Sequence, residues 1–278
     1  MRFAFIYGLL AIISLAPKPL LAHGPVHELI NEVSKKIEAD PQNARLYLER
    51  GEYYRLDHDF DAAYSDLLFA ERLDPNLHID VSFHLAKLFS EHRYPQSGLG
   101  YINEFLTVYP QHIKGLITRA GIYKQLGQDS LSVLDFATAL DYAKEPRPYH
   151  FLEIAQATLR TDSTDFEGAK YWLAKGESVL GFNIVLRSYS IEIDRLAQDW
   201  PEALAKVDDI IDRLPRHEKW LLYKAELLEE AGQIPAAIKT YEATLEAIEK
   251  LPRRMQSTRA VNEWQATALL RLQALQNG

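Results

Sequence analysis

Apolar residues recur at helical spacing along most of this chain, and the pattern repeats about every 34 residues. The clearest copy runs from Ala44 to Asn76 and carries two apolar stripes separated by a polar turn at Asp59. The stripes consist of Tyr47, Gly51 and Tyr54, followed by Ala63, Leu67 and Ala70. Small residues at Gly51 and Ala63 let two antiparallel helices approach closely, so each copy predicts one helical hairpin.

Five further copies follow, in which the pattern is kept less strictly, so that there are six copies in all. Prolines end the early copies, since Pro75 lies 34 residues after Pro41 and Pro110 lies 35 residues after Pro75. The later copies are marked by small residues in the same pattern, among them Ala86 and Gly98, Ala120 and Ala139, Ala155 and Ala169, Ala203, and Ala225 and Ala237. The fourth copy fits least well, and we predict two extra residues in its turn, between Thr161 and Asp165.

These features together resemble the tetratricopeptide repeat (TPR) family, whose unit is a helix–turn–helix of this length with small residues at the helix crossings and a terminal proline. The resemblance covers Asn43 to about Leu251. It implies an all-α fold, a right-handed α-solenoid of about six helix–turn–helix repeats over residues 43–251. Because such an array must be capped, we expect a cap helix, half a repeat, in residues 23–42 and a capping helix in residues 252–278.

Two further apolar stripes predict those caps. The first consists of Leu29, Val33 and Ile37, and the second consists of Val261, Trp264, Ala268, Leu272 and Leu275. The second stripe predicts one helix from about Arg253 to Gln276.

The N-terminus has the pattern of a secretory signal peptide. Met1 and Arg2 precede an apolar run from Phe3 to Leu15, and we place cleavage after Ala22, so that the signal peptide is residues 1–22. The alternative is an uncleaved membrane anchor, but the run is shorter than the roughly 20 apolar residues that span a bilayer. We therefore expect an exported, periplasmic protein with no stable membrane insertion after cleavage.

Composition and charge narrow the class of partner. With 47% hydrophobic residues the chain can bury a core, and with no cysteine it is not a disulfide scaffold. The net charge of −8 gives no general attraction to nucleic acid or to anionic lipid. The expected partner is another protein of the cell envelope, and the oligomeric state stays open.

The sequence contains no phosphate-binding glycine loop, no His-Glu-x-x-His motif and no thiol, so we predict that the chain is not an enzyme. Asp57, His58 and Asp59 resemble a metal cluster, but their place between two helices favours a turn with caps. The alternative function is periplasmic metal binding or delivery. Cleavage after Ala22 would leave a free amine, His23 and His27 as nitrogen ligands for copper, which is the cofactor that this alternative predicts.

The TPR resemblance implies that the first helix of each hairpin lines a concave groove that binds a segment of another protein. The expected groove residues are Arg45, Arg55, Lys87, Lys114, Lys124, Tyr149, Gln156, Arg160, Tyr189, Arg195, Tyr223 and Glu226. Any one of them could equally be a solvated wall residue. The N-terminal part of this set is basic and its last repeat is acidic, and the tyrosines suit an interface.

Some TPR domains hold a C-terminal carboxylate with a clamp of Lys and Asn. Here Leu48 and Glu52 stand at those positions, and Glu52 would repel a carboxylate. We therefore predict a non-catalytic interaction module or scaffold of the cell envelope rather than a cytosolic co-chaperone.

Overall fold

The computed structural model describes residues 24–277, and this range contains fifteen α-helices, one short 3₁₀ turn at Pro75–Leu77 and no strand. The predicted signal peptide lies outside the described residues. The helices are α1 (Gly24–Ala39), α2 (Ala44–Leu56), α3 (Phe60–Leu73), α4 (His78–Glu91), α5 (Pro95–Val108), α6 (Ile113–Gln125), α7 (Asp129–Tyr142), α8 (Pro148–Thr161), α9 (Phe166–Leu180), α10 (Ile184–Leu196), α11 (Trp200–Arg213), α12 (Glu218–Glu230), α13 (Ile234–Glu249), α14 (Arg253–Gln256) and α15 (Arg259–Asn277).

The chain divides into two compact units, the first ending at Val108 and the second beginning at Tyr109. In the first unit α1 packs on α2, and α2–α3 and α4–α5 form two hairpins that meet through α3 and α4. In the second unit four hairpins follow one another, α6–α7, α8–α9, α10–α11 and α12–α13, and α15 packs on α13. Helices adjacent in sequence thus bury each other's apolar faces within each unit.

Small residues stand where the helices cross. A Cβ atom on Gly51 would lie 3.1 Å from the Leu67 side chain and 3.3 Å from the Ala63 carbonyl oxygen, and Ala63 itself is fully buried. The predicted close approach of α2 and α3 is therefore confirmed. Gly176 is a further close approach that the repeat pattern does not predict, since a Cβ atom there would lie 2.7 Å from Leu186 and 2.8 Å from Phe151.

The same turn joins the two helices of five hairpins. Its three residues are 57–59 in the first hairpin, and the middle residue has a positive φ each time. These middle residues are His58, Arg93, Gly127, Gln198 and Gly232, with φ between 59° and 72°. In the first turn the Asp59 carboxylate accepts a hydrogen bond from the Ala62 amide at 3.1 Å and caps α3. The turn-and-cap interpretation of residues 57–59 is confirmed.

The fourth hairpin differs, because its turn has the four residues 162–165. The prediction of two extra residues was wrong, because this turn has only one residue more than the others. Side chains close this turn without a left-handed residue: the Asp162 carboxylate accepts from the Thr164 amide at 2.9 Å, and the Asp165 carboxylate accepts from the Gly168 amide at 2.9 Å.

The two end helices also depart from prediction. In α1, Ile30 is buried with Val33 and Ile37, whereas the predicted Leu29 is exposed, so Ile30 takes the place of Leu29 in the buried stripe. The predicted helix from Arg253 to Gln276 is divided into α14 and α15. The interruption occurs where Ser257 and Thr258 donate hydroxyl hydrogen bonds to backbone carbonyl oxygens of α14. No helix within residues 24–277 has both the length and the apolar character to cross a membrane.

Candidate partner-binding surfaces

In the first unit, the candidate surface centres on Glu52 of α2. Its carboxylate accepts from the Arg55 guanidinium at 2.8 Å, lies 3.0 Å from Nδ1 of His84, and accepts from Lys87 on α4. Burial disfavours the charge, but these hydrogen bonds outweigh it and hold the pKa of Glu52 well below its usual range. Arg55, itself buried, also pairs with Glu91.

This pairing corrects the expected basic character of the N-terminal part. Glu52 and Glu91 neutralise the charges of Arg55 and Lys87, so the surface that α2 and α4 share is balanced rather than basic. Arg45 stands apart as an exposed residue in the first turn of α2, with no ion pair among the described residues.

In the second unit, three side chains gather around Glu153 of α8. Lys124 of α6 donates to the Glu153 carboxylate at 2.7 Å. Burial and the neighbouring Glu153 carboxylate raise the pKa of Tyr149. Burial and, to a smaller extent, the same carboxylate raise the pKa of Tyr189 on α10. The structure therefore brings Lys124, Tyr149 and Tyr189 together around a buried glutamate that the sequence analysis missed.

Three other predicted groove residues lie on α6 and α8. Gln156 is half-buried in the middle of α8, and Arg160 donates to the Asp129 carboxylate of α7 at 2.7 Å. Lys114 is exposed in the first turn of α6, and its charge adds to burial in lowering the pKa of His112.

Further along the second unit, Arg195, Tyr223 and Glu226 line one open cavity of about 440 Å³. We call it the Glu226 pocket. Its other lining residues are Leu227, Glu229, Glu230, Tyr241 and Arg271. Tyr223 donates to the Glu192 carboxylate of α10, and burial together with this hydrogen bond raises the pKa of Tyr223 above its usual range. Burial raises the pKa of Tyr241 to about 12.

Neither Tyr241 nor Arg271 was predicted as a groove residue. Tyr241 is fully buried in α13, and Arg271 belongs to the capping helix α15. Only the fold brings these residues together, because Arg271 of α15 pairs with Glu229 of α12.

The expected copper ligands are described only in part, because His23 lies outside the described residues. His27 is 57% exposed, and its Nδ1 lies 3.6 Å from the Asp57 carboxylate of the first hairpin turn. Within residues 24–277 no three side chains of the metal-ligating types His, Cys, Asp and Glu are grouped so as to hold an ion.

No protein-family model matches the chain, and no curated protein matches it in sequence. Solved structures do match its fold. The C-terminal part of a TPR repeat-containing protein from Cytophaga hutchinsonii gives a TM-score of 0.66 at 11% identity, covering 86% of this chain and 94% of that one. PilF from Pseudomonas aeruginosa gives a TM-score of 0.55 at 15% identity, covering 81% of this chain and 98% of that one.

PilW, a type IV pilus biogenesis factor, gives a TM-score of 0.54 at 18% identity, covering 70% of this chain and 90% of that one. The chain therefore has the TPR fold, an all-α solenoid of helical hairpins, as its sequence predicts.

Proposed function

We propose that this chain is a non-catalytic protein-interaction module, and that the first helices of its hairpins bind an extended segment of a partner protein. The observation that carries the proposal is the row of tyrosines on three successive first helices of the second unit. Tyr149 on α8, Tyr189 on α10 and Tyr223 on α12 are each partly exposed beside a carboxylate.

Such a row suits the binding of a peptide. A tyrosine ring offers a large apolar face with a polar tip and loses little conformational freedom when it is covered. The helices that carry the rings are already folded, so binding requires little ordering on this side of the interface. Binding energy would come from covering the rings and from matching the charges beside them.

The partner that we propose is a protein of the cell envelope. The signal-peptide pattern of residues 1–22 supports export and a periplasmic location. The fold shared with a type IV pilus biogenesis factor is compatible with a scaffolding role in the envelope.

The test is crosslinking and affinity capture from the envelope fraction of the source cells. The double variant Tyr149→Ala, Tyr189→Ala should retain at least about tenfold less of the specific partner, because central aromatic residues supply much of the energy of an interface. The matched control is Tyr142→Ala, Tyr171→Ala, which removes two exposed tyrosines from the second helices α7 and α9. Equal loss in both double variants, or no loss in the first, would exclude the tyrosine row as the binding surface.

Copper binding by His23 and His27 is the second candidate function. One contact favours it: the Asp57 carboxylate lies beside Nδ1 of His27, and a carboxylate in that position orients an imidazole for metal binding through its other nitrogen. A calorimetric titration of Cu²⁺ into protein that begins at His23 tests it. Copper should bind more tightly than to a His27→Ala variant, with Asp57→Asn intermediate, and equal affinity in all three would exclude the site.

A further inference from the structure

The Glu226 pocket is bounded by α10, α12, α13 and α15. Its volume of about 440 Å³ lies within the range of sites that hold small ligands or large side chains. Leu227 and the rings of Tyr223 and Tyr241 form the apolar part of its wall, and five charged side chains form the rest. The pocket can therefore receive a group with an apolar stem and a polar end.

The charges of the pocket do not balance. Arg271 pairs with Glu229, which also accepts a hydrogen bond from the Tyr241 hydroxyl at 2.8 Å. Arg195 lies 3.4 Å from Glu230. Glu226 has neither a hydrogen bond nor an ion pair with any residue in the described part of the chain. Arg195 and Arg271 lower the pKa of Glu226 through space, but burial and the Glu230 carboxylate outweigh them. One half-buried carboxylate thus lines the cavity without a direct ion pair.

Arg195 adds a second observation on the pocket. Its buried Nε atom lies 3.4 Å from the Glu230 carboxylate and 3.7 Å from the Glu192 carboxylate, but it makes no hydrogen bond with any described residue. By contrast, Arg119 is held in a bidentate pair with Asp135 at 2.6 and 2.7 Å. A buried N–H group without an acceptor is costly, and a backbone carbonyl oxygen of a bound peptide is an acceptor that would satisfy it.

We propose that the Glu226 pocket binds a lysine or arginine side chain of the partner's extended segment. This inference rests on the proposed function and specifies the chemistry of the ligand.

The bound segment satisfies both groups at once. The ammonium or guanidinium group pairs with the Glu226 carboxylate, and the methylene stem packs on Leu227 and the tyrosine rings. The adjacent backbone carbonyl accepts from Nε of Arg195. The Tyr223 ring adds a cation–π contribution where the cation passes its face. Burial and the Glu230 carboxylate raise the pKa of Glu226, and a bound cation opposes that shift.

Selection from a random library of bead-bound octapeptides tests the proposal. Peptides retained by the wild-type chain should carry lysine or arginine at one fixed position. With Glu226→Gln the affinity of those peptides should fall about tenfold, as expected for the loss of one charge-assisted hydrogen bond. With Glu226→Lys the selection at that position should change to aspartate or glutamate.

Glu242→Gln is the matched control, because it removes the same charge from an exposed position on α13. It should leave the selected peptides and their affinity unchanged. The thermal midpoint of Glu226→Gln should not fall below that of the wild type, since the substitution removes an unpaired half-buried charge.

The outcomes separate this inference from the proposed function. Peptides that are retained with no basic preference, or with one that Glu226→Gln leaves intact, overturn the inference alone. No retention of any peptide by the wild-type chain overturns both. Sedimentation that shows a wild-type dimer, and a monomer for Glu226→Gln, assigns the pocket to a second copy of this chain and also overturns the inference.

Discussion

The first and third hairpins each contain a buried ion pair between two residues sixteen positions apart. Arg50 donates to Asp66 at 2.7 and 2.9 Å, and Arg119 donates to Asp135 at 2.6 and 2.7 Å. Both carboxylates are buried, at 7% and 4% exposure. Each guanidinium therefore compensates a charge that could not otherwise remain inside the hairpin.

Removing one partner of such a pair should be costly. Arg119→Ala leaves the Asp135 carboxylate buried and unpaired, so we expect the free energy of unfolding to fall by about 3 kcal/mol in urea titrations. Replacing both residues, with Arg119→Met and Asp135→Leu, should cost much less because no charge stays buried. Arg259→Ala, which breaks the exposed pair with Glu263, is the control and should stay within about 0.5 kcal/mol. An Arg119→Ala effect as small as the control would contradict this account.

The turn between paired helices is the recurrent feature at the scale of elements. Its middle residue is left-handed in five hairpins, and glycine occupies this position at 127 and 232, whereas His58, Arg93 and Gln198 occupy the others. A residue with a Cβ atom is strained in this conformation, whereas glycine is not. The shape of the turn is thus imposed by the packing of the hairpin and not by the middle residue alone.

The same chemical change should have opposite effects in two places. Gly232→Ala puts a Cβ atom on a residue with φ of 72°, and we expect it to lower the free energy of unfolding by about 1 kcal/mol. Gly121→Ala lies within α6 and should raise it by about 0.5 kcal/mol. Neither new methyl group would meet an atom within 4 Å, so packing does not explain the difference. Chemical denaturation measures both, and changes of equal sign would contradict the argument.

His78 links three elements of the first unit. Its Nδ1 and Nε2 atoms each lie 2.6 Å from a carboxylate oxygen, of Glu71 on α3 and of Glu104 on α5. These hydrogen bonds, that of Glu104 first, outweigh burial and raise the pKa of His78. A raised pKa means that the folded protein holds the proton more tightly than the unfolded chain does.

The resulting stabilisation should depend on pH. It is fully present below the unfolded histidine pKa of about 6.5 and is lost as pH rises through the higher folded pKa. We expect the free energy of unfolding to fall as pH rises above about 6.5, by less than about 1 kcal/mol because the imidazole is 46% exposed. The decline should be smaller in His78→Gln and in the double variant Glu71→Gln, Glu104→Gln. An unchanged slope in either variant would show that other groups cause it.

At the scale of the whole molecule, the repeat period was sufficient to predict the fold, because small residues such as Gly51 and Ala63 recur at a fixed spacing and allow paired helices to approach closely. Periodicity was less reliable at the ends, where Leu29 and Ile30 fit a helical stripe with Val33 and Ile37 almost equally well. It could not predict the charge pairing of the candidate site. Glu153 pairs with Lys124 of another hairpin, and Glu229 pairs with Arg271 of the capping helix α15, so the matching of these partners depends on the packed geometry.

The net charge of −8 belongs to the whole molecule and affects how fast a charged partner approaches it. If the partner segment is basic, long-range attraction speeds its encounter with this chain, and salt screens that attraction. Raising salt from about 20 mM to about 300 mM should lower the association rate constant of a selected basic peptide about tenfold, with a much smaller change in its dissociation rate. Glu226→Gln should mainly raise the dissociation rate and leave the association rate nearly unchanged, because it removes one contact and leaves most of the electrostatic field intact. Stopped-flow binding measures both rates, and an association rate independent of salt would mean that the tyrosines, and not charge, govern recognition.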